Sequence, residues 1–185
     1  VERAEGSLLV RAPGRLQANH HWLDYASVTT TENFALCAVV AQGRSHLTNA
    51  ACEPHVQDLA HLLNAMGAKI SGIGTNQLSV EGVPSLSGAH YAVCHDHVEA
   101  ASYLALAAAT GGEITVEGTD KHAYGMCHRV FETLGVKIDL HDKHIFLSGN
   151  QSLRVTREFD GAMPVIGDGP WPQFATDQMS CMITL

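Results

Sequence analysis

The chain carries little charge for its length and has no excess of basic residues. Only 16% of its 185 residues are charged, and 11 Lys and Arg stand against 19 Asp and Glu, which gives a formal net charge of −8. This balance argues against binding to nucleic acid or to an anionic membrane. Long apolar runs are also missing, since the longest, Ala100–Ala109, is interrupted by Ser102 and Tyr103. It is far shorter than the roughly 18 residues of a membrane span.

Cysteine is scarce and has no recognisable pattern. The five cysteines form an odd set without C-x-x-C spacing, so we expect reduced thiols in a cytoplasmic protein. The first residues, Val-Glu-Arg-Ala-Glu-Gly, lack the features of a signal peptide. With 45% hydrophobic residues, the chain can bury the core of one ordinary domain or of two small ones.

The most informative feature is an internal repeat. The segment Leu62–Ile70 (LLNAMGAKI) is matched by Val130–Ile138 (VFETLGVKI). Both predict a helix that ends at a glycine, where a left-handed cap is favoured, and then an alternating strand. An Ala-rich helix, Glu32–Ala41 or Glu99–Thr110, and a short strand precede each copy. The predicted unit is therefore β-α-β-α-β-β.

A third copy of the repeat begins late in the chain. It would comprise a strand near Leu153–Thr156, a Pro- and Gly-rich loop from Gly161 to Pro172, and the start of a helix over Thr176–Leu185. Stacked units of this kind cannot bury their faces alone. We therefore expect the chain to be a piece of a longer protein or to be completed by another chain, unless tolerant packing makes the missing partner harmless.

Several segments resemble the enolpyruvyl transferase family, in the family's order, from about His20 to Leu185. The segments that carry the resemblance are Leu23–Val28, Thr31–Asn33, Asn49–Leu59, Met66–Thr75, Asp96–Ala100, Ala107–Ile114 and Phe174–Asp177. They are most similar to the branch that acts on UDP-N-acetylglucosamine. The resemblance implies an α/β fold, an inside-out α/β barrel of β-α-β-α-β-β repeats, with three units in each of two domains and the active site between them.

The resemblance also implies a division of this chain. Residues 1–92 would be the last repeat unit of one enolpyruvyl transferase domain. Residues 93–185 would be the first unit, and the start of a further unit, of the second domain. Family members are more than twice as long, so the fold would be incomplete in this chain. Ala-rich helices suit such a fold, because small side chains let helices approach closely in a crowded centre.

A reaction follows from the resemblance. This branch of the family transfers the enolpyruvyl group of phosphoenolpyruvate to the 3-hydroxyl of UDP-N-acetylglucosamine and releases phosphate, in the synthesis of the peptidoglycan precursor. The reaction needs a base for the sugar hydroxyl, an acid for the methylene carbon, and cations for the phosphate and carboxylate. Asp177 matches the family's catalytic aspartate, and Thr176 contacts substrate there. From spacing alone, an Asp at a helix start is more often an N-cap, and the two roles can coexist.

The remaining implied site residues bind substrate. Ser27, Val28 and Thr29 lie where the family binds the diphosphate through a hydroxyl and the backbone N–H groups of a helix N-terminus, which favours anions. The residues by themselves indicate only a Ser/Thr cap of the following helix. Glu53 matches a family carboxylate near the sugar. No cofactor is expected.

The sequence departs from the family pattern at three positions in or near these segments. Thr29 replaces a usual glycine, and Cys52 and His97 each replace an arginine. The loss of two guanidiniums removes bidentate donors that Cys and His do not replace. The family's catalytic lysine, its cysteine-bearing loop and its arginine clamp would all lie outside this chain, and Cys37 is expected on the buried face of its helix. We therefore do not expect catalysis from these 185 residues alone.

Twelve histidines raise the question of a metal site. His95 and His97, followed by Glu99, have a spacing that would place two ligands on one face of a strand, but no third ligand is fixed by spacing. We therefore expect no metal, and mostly solvated histidines.

Two function classes stay open. The first is an enolpyruvyl transferase that uses UDP-N-acetylglucosamine and phosphoenolpyruvate, with part of its site on this chain. The second is a non-catalytic relative that binds a nucleotide sugar or a partner chain. Neither nucleic acid nor a membrane is an expected partner, and a homo-oligomer could complete the fold.

Overall fold

The computed structural model describes residues 1–12, 14–119 and 121–185. They form a mixed α/β structure that divides into two compact units, Val1–Ala92 and Val93–Leu185. Each unit has its own apolar core. The assignment of these units to repeats of two different domains stays a prediction. Within the described ranges, every helix is too short or too polar to cross a membrane.

The first unit contains a complete β-α-β-α-β-β repeat. A hairpin of β1 (Glu2–Ala4) and β2 (Ser7–Leu9) comes first, and the repeat follows as β3 (His20–Trp22), α1 (Val28–Ala38), β4 (Arg44–Thr48), α2 (Pro54–Ala65), β5 (Lys69–Ser71) and β6 (Gln77–Glu81). Its sheet has the order β3-β4-β6-β5. Strands β3 and β4 are parallel, whereas β6 is antiparallel to both of its neighbours.

The second unit repeats most of this arrangement. Its elements are α3 (His97–Thr110), β7 (Ile114–Glu117), α4 (Gly125–Thr133), β8 (Asp139–Leu140), β9 (His144–Leu147) and α5 (Met179–Ile183), with short 3₁₀ turns at Lys121–Tyr124 and Thr176–Gln178. The sheet order β7-β9-β8 corresponds to β4-β6-β5 in the first unit. In the described part of this unit, no strand precedes α3.

The second helix of each repeat ends at a glycine, and the two glycines occupy matching positions. Gly67 has φ +98° and Gly135 has φ +83°, which is the left-handed region that favours glycine. The predicted glycine caps are therefore confirmed. They differ in their surroundings, because an added Cβ would meet nothing within 4 Å at Gly67 but would lie 2.2 Å from the carbonyl oxygen of Arg154 at Gly135.

The predicted strand at Leu153–Thr156 is wrong. These residues form no strand, because the segment crosses the carboxyl end of α4 and bonds there. The N–H of Thr156 donates to the carbonyl of Thr133 at 2.8 Å. The close packing of Arg154 on Gly135 belongs to the same crossing.

Helices pack against one face of each sheet. In the first unit, Leu47, Leu78 and Val80 alternate with exposed or half-buried residues and meet helix residues such as Ala35. Burial of each large aliphatic side chain stabilises the fold by roughly 1.5–3 kcal/mol.

Five of the six alanines of α3 lie in the second core, as the sequence predicts for this helix, and Ala109 is exposed. The buried members are Ala100, Ala101, Ala105, Ala107 and Ala108. On the same helix, Tyr103 and Leu106 are exposed. The small side chains therefore face inward, where helices and sheet approach each other.

Two side-chain predictions are wrong. Cys37 is exposed, because the buried face of α1 is set by Thr31, Ala35 and Ala38, and Cys37 falls on the opposite side. His97 is buried at 7% exposure rather than solvated, because it begins α3 directly under the loop that carries Trp171.

Candidate functional site

The only parallel strand pair among the described residues brings two helix starts to one edge of the sheet. The register pairs His20 with His46 and Trp22 with Thr48, so β3 and β4 end side by side. The chain then leaves β3 toward α1 and β4 toward α2. The N–H of Leu23 donates to the carbonyl of Thr48 at 3.0 Å and extends this pairing. Ligands commonly bind at such carboxyl edges of parallel strands.

Thr31 ties the two helix starts together. Its Oγ1 donates to the carbonyl of Ser27 at 2.8 Å and accepts from the N–H of Ala51 at 2.9 Å. The residue is fully buried. The side chain of Asn49 adds a second link, since its Nδ2 donates to the carbonyl of Leu23 at 2.9 Å. The segment before α2 is therefore fixed against the first turn of α1.

Three predicted residues form the start of α1. Ser27 is the N-cap, and its Oγ accepts a long 3.4 Å bond from the N–H of Thr30. Val28 begins the helix, and the side chain of Thr29 is exposed. The first turn holds no acidic residue, so no local carboxylate offsets the partial positive charge of the helix N-terminus. This turn can accept an anion.

Glu53 occupies the N-cap position of α2, ahead of Pro54, and is half-buried. Its carboxylate makes no capping bond to its own helix. The pKa of the neighbouring Cys52 thiol is raised by burial and, to a smaller extent, by the charge of Glu53. Cys52 is thus a neutral thiol at neutral pH and supplies no positive charge beside Glu53.

Thr176 and Asp177 lie together on the 3₁₀ turn that leads into α5, and both are exposed. Ala175 holds the N-cap position of this turn, and Asp177 lies within its first turn. The N-cap interpretation of Asp177 is therefore wrong. The Oγ1 of Thr176 donates to Oδ2 of Asp168 at 2.6 Å.

The buried side-chain amide of Gln178 anchors this turn to the neighbouring helices. Gln178 is 2% exposed. Its Nε2 donates to the carbonyl of His97 at 3.4 Å, and the thiol of Cys127 donates to its Oε1 at 3.6 Å. Burial raises the pKa of Cys127 to about 12, so the thiol keeps its proton. Sequence reasoning missed Gln178, because its partners are distant in sequence.

Asp168 was also missed, although it lies in the Pro- and Gly-rich loop singled out by the repeat. A signal was present, since an acidic residue among glycines and prolines just before Thr176 indicates a turn with a polar role.

A polar cavity of about 500 Å³ opens elsewhere on the second unit. It is lined by His95, Glu117, Gly118, Thr119, Asp142, Lys143 and His144, none of which belongs to the predicted site. The hydroxyl of Thr119 is buried and makes no hydrogen bond to any described residue. Across the ranges that the structure describes, no three His, Cys, Asp or Glu side chains are grouped to hold a metal ion.

The structure therefore gathers the predicted residues into two groups. Ser27, Val28, Thr29 and Glu53 lie at one sheet edge of the first unit, and Thr176 and Asp177 share a turn of the second unit.

The chain belongs to the EPSP synthase (3-phosphoshikimate 1-carboxyvinyltransferase) family, whose model matches residues 2–182. This match covers nearly the whole chain. It agrees with the resemblance to enolpyruvyl transferases that the repeat and motifs carry.

Curated relatives of the chain are UDP-N-acetylglucosamine 1-carboxyvinyltransferases. The protein of that name from Borreliella burgdorferi is 41% identical over 175 residues, which cover 95% of this chain and 41% of the relative. The one from Treponema pallidum is 45% identical over 161 residues, which cover 87% of this chain and 38% of the relative. The chain thus spans about two-fifths of the length of these relatives.

Solved structures confirm the fold class. The enolpyruvyl transferase NikO from Streptomyces tendae superposes with a TM-score of 0.65 at 21% identity, over 72% of this chain and 35% of that one. An EPSP synthase from Acinetobacter baumannii gives a TM-score of 0.58 at 20% identity, over 81% of this chain and 34% of that one. The chain has the α/β fold of enolpyruvyl transferases, without a closed barrel in its described residues.

Proposed function

We propose that this chain carries part of the site of an enolpyruvyl transferase. The enzyme would move the enolpyruvyl group from phosphoenolpyruvate to the 3-hydroxyl of UDP-N-acetylglucosamine and release phosphate. The observation that carries the proposal is the pairing of an acid-free helix N-terminus at Ser27 with the half-buried carboxylate of Glu53 at one strand edge. The 41% identity to a carboxyvinyltransferase with that acceptor supports it.

The start of α1 would bind the diphosphate. The backbone N–H groups of the first helical turn, at Val28 and Thr29, have no partners within the helix, and the helix dipole favours negative charge there. The hydroxyl of Ser27 would add a donor. The exposed side chain of Thr29 would lie beside the phosphates, where the family usually has glycine. Glu53 would accept a bond from a hydroxyl of the sugar.

Asp177 would act as the base for the sugar 3-hydroxyl. Its carboxylate is exposed on a short turn held by buried Gln178, so it is accessible to a ligand and its backbone is fixed. Thr176 beside it would contact the sugar. The acid for the methylene carbon and the cations for the phosphate and carboxylate would come from parts of the enzyme outside this chain.

A second candidate is a non-catalytic module that binds a nucleotide sugar. It is favoured by one observation, that two positions at which the family has arginine hold a neutral thiol, Cys52, and a buried imidazole, His97. Neither supplies the fixed bidentate donor that an arginine would.

Calorimetric titration of UDP-N-acetylglucosamine into the chain tests the proposal. We expect micromolar binding that weakens about tenfold in Ser27→Ala, which loses one hydrogen bond, and in Asp177→Asn, which keeps an accepting oxygen but loses its charge. Ser71→Ala and Asp139→Asn, exposed residues on β5 and β8, serve as matched controls and should bind normally. Binding that depends on Ser27 but not on Asp177 would favour the non-catalytic module. A folded chain that does not bind at all contradicts both.

A further inference from the structure

The hydroxyl of Thr176 donates its only proton in a hydrogen bond to Asp168. The Oγ1 to Oδ2 distance is 2.6 Å, in the range of O–H···O bonds to a carboxylate. A threonine hydroxyl has one proton and two lone pairs. With the proton engaged, the oxygen of Thr176 can only accept a hydrogen bond from a ligand.

The backbone holds the carboxylate of Asp168 in place. Asp168 and Phe174 form an isolated parallel bridge, and the N–H of Gly169 donates to the carbonyl of Phe174 at 3.0 Å. Phe174 is 2% exposed and belongs to the second core. The loop therefore closes on a buried side chain immediately before the turn, and Asp168 and Thr176 are held at a constant separation.

The turn itself is held from its other end. Gln178, two residues after Thr176, is buried with its amide group between α3 and Cys127 of α4. Thr176 is exposed between these two anchors. Its position and the polarity of its hydroxyl are thus both fixed before a ligand binds.

We propose that Asp168 is a specificity-determining residue of the site. It sets Thr176 to accept a hydrogen bond from a sugar hydroxyl or amide N–H, and it disfavours an anionic group at this position. A phosphate or carboxylate oxygen here would face two oxygens with no proton to share, and one of them is charged. The anionic part of the substrate must then bind elsewhere, and the neutral sugar lies at Thr176. This inference rests on the proposed function, in which Thr176 contacts the substrate.

The test compares UDP-N-acetylglucosamine with analogues that each lack one sugar hydroxyl or the N-acetyl group, titrated calorimetrically into the chain. We expect at least one analogue to bind about tenfold more weakly, because the oxygen of Thr176 loses its donor. Thr176→Val should remove this discrimination, and the conservative Thr176→Ser should keep it. In Asp168→Ala, the hydroxyl of Thr176 loses its acceptor and can donate its proton to a ligand, so the discrimination should shrink to less than threefold.

Two outcomes overturn the proposal. If the wild-type chain binds UDP-N-acetylglucosamine and every analogue equally, or if Asp168→Ala discriminates as well as wild type, Asp168 does not set the specificity. The second result leaves the proposed function intact, whereas the first also contradicts the sugar contacts proposed for Thr176 and Glu53. If no variant binds UDP-N-acetylglucosamine while circular dichroism shows native secondary structure, the proposed function and this inference fail together. If Asp168 had only a structural role, its replacement would weaken the binding of all ligands alike and leave the ratios of their dissociation constants unchanged.

Discussion

The hydroxyl of Thr31 accepts a hydrogen bond from the N–H of Ala51, 2.9 Å away and across 20 residues of sequence. Through this bond the first turn of α1 and the segment before α2 form one rigid edge. The carbonyl of Ser27 accepts a hydrogen bond from the same hydroxyl. The N-cap of α1 and the segment that leads to Glu53 are therefore both held by one buried side chain.

Replacement of Thr31 by Val should destabilise the chain by about 2 kcal/mol, because the N–H of Ala51 is then buried without its partner. Thr119→Val is the matched control. Thr119 is also buried, but its hydroxyl bonds to no described residue, so its removal should be neutral or stabilising by up to about 1 kcal/mol. The free energy of unfolding in urea measures both. Equal losses in the two variants would contradict the role assigned to Thr31.

The matching glycines of the repeat should respond differently to Ala. Gly67→Ala should cost about 1–2 kcal/mol, the penalty of a left-handed residue with a Cβ. Gly135→Ala has the same penalty, and its Cβ would also press on the backbone of Arg154, which should cost about 1–3 kcal/mol more. Thermal unfolding of the two variants compares them directly. Equal losses at Gly135 and Gly67 would show that the segment around Arg154 moves aside freely.

Asp96 caps α3 by accepting bonds from the N–H groups of Val98 and Glu99 at 2.8 and 3.0 Å. Asp96→Ala should therefore destabilise the second unit by about 1 kcal/mol. Asp96→Asn, which keeps a capping oxygen, should retain most of the stability. The midpoint of thermal unfolding tests both variants. If Asn and Ala are equally destabilising, the charge of Asp96 rather than its capping bond is what stabilises the helix.

Cys127 should resist thiol reagents at pH 8 in the native chain, whereas exposed Cys37 should react quickly. Burial raises the pKa of Cys127 to about 12 from a reference value of 9.0, so almost no thiolate is present. Cys94 is also exposed, so the double variant Cys37→Ser/Cys94→Ser identifies the fast phase. Rapid labelling of Cys127 without denaturant would show that α4 opens locally.

The raised pKa of Cys127 also makes the free energy of unfolding depend on pH. The folded state holds the proton of Cys127 more tightly than the unfolded state does. The resulting contribution to the free energy of unfolding is therefore complete below the unfolded-state pKa of 9.0 and is lost as the pH rises toward the folded-state pKa of about 12. Unfolding free energies between pH 8 and pH 10, compared with Cys127→Ala, isolate this dependence. A variant with the same slope as wild type would assign the effect to other groups.

Local patterns in the sequence predicted the helices and most strands, because the repeat shows each element twice. The glycine caps at Gly67 and Gly135 and the inward alanines of α3 followed from backbone geometry and side-chain size, which act over a few residues. The errors arose where a partner distant in sequence decides the outcome. Leu153–Thr156 bonds to the end of α4 instead of forming a strand.

The candidate site was predictable only in part. Thr176 and Asp177 could be selected by resemblance, but the interactions that hold them could not, since Asp168 and Gln178 act through a loop closure and through contacts to α3 and α4. His97 illustrates the same limit. Its sequence neighbours predict a solvated side chain, and only the fold places Trp171 against it.

The parallel pairing of β3 with β4 has an evolutionary consequence. Hydrogen bonds between the two strands fix where α1 and α2 begin, and such bonds do not depend on which side chains the strands carry. Residues around this edge can therefore diverge while the edge persists, and proteins only 20–21% identical to this chain still share its fold. A lineage can replace exposed side chains at this edge, such as Thr29, without rebuilding the scaffold beneath them.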